Sequence, residues 1–172
     1  MSTNLNGIPQ TVIFLEQVAK NSRLNKHQHF NAAERNLFYN NIFGSAAIVI
    51  NVILGSVLFV TVSSNLPEFA KWASGFMAMI AAVCGGIQTF FNFQKLFEGH
   101  RRIANNYLEL QRECEQLLAA FSDQLINLEQ VVKEVEVINK KYNTINSDAE
   151  VFPTGDKDYR KAKRYEKEKH LA

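Results

Sequence analysis

Between Arg35 and Glu68 the chain carries no formal charge, and between Lys71 and Lys95 it again carries none. A hydrocarbon core of ~30 Å needs ~20 mostly apolar residues in one helix. Residues 42–62 and 72–93 both meet that requirement, although the far end of the second, QTFFNF, is more polar. A surface helix of a soluble domain shows a polar face recurring every ~3.6 residues; residues 42–62 have no charged face at all. The competing reading is a hairpin buried at the centre of a soluble bundle. A chain of 172 residues has too little sequence left to cover two helices that are apolar on every side. The expected fold class is all-α: a two-helix transmembrane hairpin whose long helices extend into a cytoplasmic helical bundle.

The apolar runs divide the chain into an N-terminal helical segment (1–41), the hairpin (42–93), a cytoplasmic helical hairpin (94–147), and a loop with a charged tail (148–172). The link SSNLPEFAK is short; Pro67 suits the first turn of the second helix and Asn65 a turn or cap. Phe69 and Trp72 fall where an interfacial aromatic belt belongs. Lys20, Arg23, Lys26 and Arg35 precede the first span, and Lys95, Arg101 and Arg102 follow the second. The link offers only Lys71, beside Glu68, so the positive-inside rule places both termini in the cytoplasm. The first apolar run begins near Ile42, too far from Met1 for a secretory leader. Cys84 and Cys114 do not resemble a disulfide framework, which fits a reducing cytoplasm. A net charge of +2 gives no reason to expect direct nucleic-acid binding.

In the N-terminal segment Ile8, Val12, Leu15 and Ala19 recur at helical spacing. The stretch NAAERNLFYNN then leads into the first span without Gly or Pro, which predicts one long helix. After the second span, Ile103, Tyr107, Leu110, Cys114, Leu117 and Phe121 alternate spacings of four and three, a heptad seam. Leu125, Leu128, Val132, Val135, Ile138, Tyr142 and Ile145 continue an apolar stripe beyond a break at FSDQ, where Ser122 or Asp123 is the expected cap of a new helix. The resulting helical hairpin packs on itself, on the N-terminal helix, or on another subunit. SDAEVFPTGDKDY reads as a loop. The tail DKDYRKAKRYEKEKH reads either as a solvated segment or as a short helix with i,i+4 ion pairs that could touch anionic lipid.

No catalytic constellation is legible. His27 and His29 have no Cys or acidic partner at a ligand spacing, His100 and His170 stand apart, and neither a metal nor a cofactor is implied. Gly85 and Gly86 lie inside a span and are expected to serve helix packing rather than a phosphate loop. Ser74, Ala78, Ala82 and Gly86 form a small-residue stripe on the second span, and Ala47, Asn51 and Gly55 lie four apart on the first. Asn51, Gln88, Thr89 and Asn92 are the polar candidates. Each either bonds between helices or faces a wet pathway, and the latter requires oligomers because two helices cannot enclose a pore. No acidic or basic residue sits at membrane depth to support ion-coupled transport.

This layout resembles the SLATT domain family, bacterial two-transmembrane effectors. The resemblance rests on AERNLFYNN before the first span, with Arg35 in it, on the short link, and on FQKLFEGHRRIANNYLELQRECE after the second. There His100, Arg101, Ala104 and Tyr107 match the family's pattern, and KKYNTINSDAEVFPTGDKDYRKAKR resembles its ending. The resemblance implies a pore-forming effector of anti-phage defence, a homo-oligomer in the bacterial inner membrane. It further implies partnership with a nucleotide-messenger synthase, a nucleotide sensor or a reverse transcriptase encoded nearby. The alternative is a membrane-anchored adaptor whose cytoplasmic helices bind a defence partner.

Overall fold

With no helix breaker between the amphipathic N-terminal segment and the first apolar run, both lie on one helix. In the computed structural model, which describes residues 9–63 and 67–169, this is α1 (Gln10–Ser63, 54 residues). Ile8, Asn65 and His170 lie outside the described residues. α2 (Glu68–Phe91) follows, preceded by Pro67, whose carbonyl accepts the Ala70 N–H at 3.0 Å. α3 (Phe93–Ser122), α4 (Leu128–Glu150) and α5 (Asp156–Lys169) complete an all-helical chain, with no strand among the described residues.

Two compact units divide these helices: residues 34–97, and the residues before 34 together with those from 98 onward. In the first, the half-buried residues of α1 include Phe43, Ala47, Ile50, Leu54 and Val57, spaced four, three, four and three. Those of α2 include Ala70, Ser74, Met77, Cys84 and Gln88, which with the buried Ala81 keep the same alternation. Such an alternation is the seam expected of two packed antiparallel helices. Most of the remaining described positions of both helices in this unit are exposed. None of the most apolar window of α1 is buried, and only 11% of the corresponding window after Glu68. The core helix of a soluble protein would be mostly covered, so the buried-hairpin alternative fails. These are two helices long and apolar enough to cross a membrane.

The second unit packs the N-terminal half of α1 with α3, α4 and α5. Val12, Leu15, Val18, Ala19, Ser22 and His29 form the buried face of α1. Ile103, Ala104, Tyr107, Leu110, Gln111 and Cys114 form that of α3, and Val131, Ile138 and Ile145 that of α4. The seam of α3 is thus occupied within the chain, at Ile103, Tyr107, Leu110 and Cys114 fully and at Leu117 and Phe121 partly. The helical hairpin packs on itself and on the N-terminal helix, as Lys26 Nζ donating to Gln111 Oε1 at 2.9 Å and the Lys141–Glu113 ion pair illustrate.

Four expectations need correction. Leu125 and Val132, placed on the apolar stripe, are exposed, because α4 starts at Leu128 and sets its own register. Neither Ser122 nor Asp123 caps it: Asn127 does. Asn127 Oδ1 accepts from Gln130 N at 3.0 Å while Gln130 Oε1 accepts from Asn127 N at 2.9 Å, a reciprocal capping box. The loop is shorter than SDAEVFPTGDKDY, since α4 runs to Glu150 and α5 begins at Asp156. The tail is not solvated on all sides. Asp158 and Ala162 of α5 are buried, Asp158 Oδ2 accepts the Gly155 N–H at 2.9 Å, and the Asp158 carbonyl accepts from Asn31 Nδ2 at 3.1 Å.

Candidate functional site

The polar candidates of the hairpin unit separate by environment. Gln88 is half-buried and donates through Nε2 to Asn40 Oδ1 at 3.1 Å, while Asn40 Nδ2 reaches Gln94 Oε1 at 3.5 Å. Thr89 satisfies its hydroxyl on the Gly85 carbonyl of its own helix at 2.9 Å. Asn92 ends α2 in the left-handed conformation, φ 45° and ψ 52°, a region that Asn tolerates better than other side chains. Its Oδ1 accepts the Lys95 N–H at 3.3 Å, which helps start α3. Asn92 therefore makes the joint between two helices, and the second apolar run does not continue smoothly into α3.

Asn51 differs from all of these. It is exposed on α1 among exposed Ile48, Val52 and Leu58, and it has no hydrogen-bond partner among the described residues. Gly55, one turn on, is also exposed, and a Cβ there would meet nothing within 4 Å. Of the small residues singled out, Ala47 and Ser74 belong to the hairpin seam, with Ser74 Oγ donating to the Ala70 carbonyl at 2.7 Å. Ala78, Ala82 and Gly86 point away from it, and Cβ atoms at Gly85 or Gly86 would also meet open space. The close approach expected at Gly85 and Gly86 occurs instead at Gly44, where a Cβ would lie 3.0 Å from Gln88 Nε2. Asn40 and Gly44, four residues apart where α1 turns apolar, were the overlooked signal.

In the helical unit, the family-like residues fall on two faces of α3. His100, Ala104 and Tyr107 are buried, spaced four and three, while Arg101 is exposed; Arg35 of α1 lies half-buried in the hairpin unit. His100 Nδ1 lies 3.1 Å from His29 Nδ1, so one ring donates and the other accepts. The Tyr107 ring centroid lies 5.9 Å from that of His29, and Phe152 meets His100 edge-on at 5.8 Å. Sequence spacing could not pair two histidines so far apart in the chain. Burial governs their chemistry: it lowers the pKa of His29 to about 4, helped by neighbouring His100 and opposed by Asp158. Burial also raises Tyr107 to about 12, its hydroxyl donating to Asn146 Oδ1 at 2.7 Å, and Cys114 to about 11. At neutral pH all three are held uncharged, which suits a packed core better than a nucleophile or an acid–base pair. Among the described residues no three His, Cys, Asp or Glu groups gather to hold a metal ion.

Two membrane-length helices joined by a short link, with a helical unit built from their extensions, define a two-span α-helical membrane protein. Residues 24–170 match the SMODS and SLOG-associating 2TM effector domain family 4, and the chain belongs to that family. No curated protein and no solved structure matches it. The family assigns it a membrane effector role in conflict systems.

Proposed function

We propose that this effector assembles from several copies in the bacterial inner membrane and opens a pore that depolarises the infected cell. The single observation that carries this reading is Asn51. Its amide stands on an apolar, exposed helix face with no hydrogen-bond partner among the described residues. In hydrocarbon an amide seeks a partner, and an interhelical bond there contributes about 0.6–2 kcal/mol. A second copy can supply it, with exposed Gly55 allowing close approach. Ala78, Ala82 and Gly86 offer α2 a similar small surface. Both termini lie in the cytoplasm in this reading, where a nucleotide-messenger synthase, nucleotide sensor or reverse transcriptase supplies the trigger, and the chain itself performs no catalysis.

The test is membrane potential and dye entry in bacteria after induced expression, comparing wild type with Asn51→Leu. Rapid depolarisation that the variant weakens, at equal insertion, supports assembly through Asn51. Undiminished depolarisation in the variant removes Asn51 from the pore. An intact barrier even when the neighbouring defence genes are co-expressed overturns the pore and leaves the membrane-anchored adaptor.

A further inference from the structure

One groove in the helical unit is lined by three lysines. Lys20, Asn21 and Leu24 of α1 face Tyr159, Lys163, Glu166 and Lys167 of α5 across a cavity of about 340 Å³. That volume falls at the lower end of small-molecule sites. Positions 20, 21 and 24 share one side of α1, and 159, 163, 166 and 167 share one side of α5, so helical periodicity brings both sets to the same cleft.

The electrostatics of the cleft are unbalanced. Its one carboxylate, Glu166, is paired with Arg23 of α1 at 3.5 Å. Lys20, Lys163 and Lys167 have no carboxylate partner among the described residues. Counting Arg23 and Glu166 as neutralising each other leaves three positive charges around one small volume. Like charges so placed repel, and an anion in the cleft would relieve all three at once. Lysine ammonium groups are compact donors suited to phosphate oxygens, and bonds to a charged acceptor are about twice as strong as neutral ones. Asn21 Oδ1 is engaged by Gln17 Nε2 at 2.9 Å, which leaves its amide N–H groups as further donors on the groove wall. Leu24 and the Tyr159 ring, over which Lys163 Nζ sits 5.8 Å from the centroid, give the cleft an apolar side.

The geometry points to a binding site for a phosphorylated anion between α1 and α5, with Lys20, Lys163 and Lys167 holding the phosphates and Leu24 and Tyr159 contacting the remainder. Such a ligand would cross-link the two helices and so bear on the packing of the helical unit. The phosphate comes either from a soluble molecule or from an anionic lipid headgroup, and the experiment separates the two. This site stands apart from the pore reading, and its test reads binding alone.

The full chain in a neutral detergent is titrated with inorganic tripolyphosphate by calorimetry and examined by native mass spectrometry for co-purified phosphatidylglycerol. The variants are Lys163→Ala/Lys167→Ala in the groove and, as control, Lys157→Ala/Arg160→Ala elsewhere on α5; helical content is checked for each. One-to-one binding of tripolyphosphate, weakened at least tenfold by the groove pair and under twofold by the control pair, supports the site with a soluble ligand. Phosphatidylglycerol retained by wild type and lost only in the groove variant supports it with a lipid headgroup. Equal losses from both pairs show diffuse attraction to a basic helix and overturn the site. The absence of both tripolyphosphate and lipid binding overturns it as well.

Discussion

Acidification should weaken the helical unit through His29, and the size of the effect follows from its surroundings. The ring is 5% exposed, faces His100 Nδ1 at 3.1 Å, and has its pKa lowered from 6.5 to about 4, chiefly by burial. Above pH 6.5 the imidazole is neutral in folded and unfolded chains alike, and this group adds no pH dependence. Between 6.5 and about 4 the unfolded chain takes up a proton that the folded chain refuses, so stability falls as pH falls. At pH 5 the linkage amounts to roughly 2 kcal/mol, and it approaches about 3 kcal/mol near pH 4. For a chain of this size 2 kcal/mol shifts the melting temperature by about 4–8 °C. The assay is thermal unfolding followed by far-ultraviolet circular dichroism, on the full chain in neutral detergent, at pH 7 and pH 5. The perturbation is His29→Gln, which keeps a polar side chain opposite His100 and removes the titration. The variant should start less stable at pH 7 but lose about 2 kcal/mol less on going to pH 5. Parallel losses in the two proteins would refute the assignment of the acid sensitivity to this buried ring.

Three further outcomes test the packing. Leu110→Ala empties a position 1% exposed and should destabilise the helical unit by about 2–5 kcal/mol, read by the same melting experiment. Ser22→Ala should leave stability unchanged or raise it by up to ~1 kcal/mol, since the Ser22 hydroxyl is fully buried without a partner among the described residues; a clear loss would reveal a further hydrogen bond. Gly99→Ala drives a methyl into the Phe152 ring and should lower stability by about 1–3 kcal/mol, with most of that loss absent in a Phe152→Ala background, as a double-mutant cycle measures.

The hairpin and the helices before and after it, up to α4, were legible because they depend on local quantities: runs without charge, and spacings of three and four; the charged tail, α5, was not. The heptad positions Ile103, Tyr107, Leu110 and Cys114 were readable for the same reason, and they are buried. The family pattern of His100, Ala104 and Tyr107 was readable as residues, but their burial on one face was not. Helix caps were less secure, since Asn127 was chosen over Ser122 and Asp123 by where α4 could begin and still bury Val131, Ile138 and Ile145.

By itself the sequence determined that the fold is all-α, that the chain carries two membrane-length helices, and that its N-terminal segment and first span are one helix. It could not say which small residues meet. The choice of Gly44 against Gln88, and the open space beside Gly55, Gly85 and Gly86, depends on how one helix rotates against its neighbour, and a shift of one residue turns each by 100°. Nor could it bring His29 to His100 or Lys20 to Lys163, because the face each helix buries is settled only when all four helices of the unit pack together. Local periodicity fixes what a helix is; the partner it finds across the chain fixes which of its side chains are left to act.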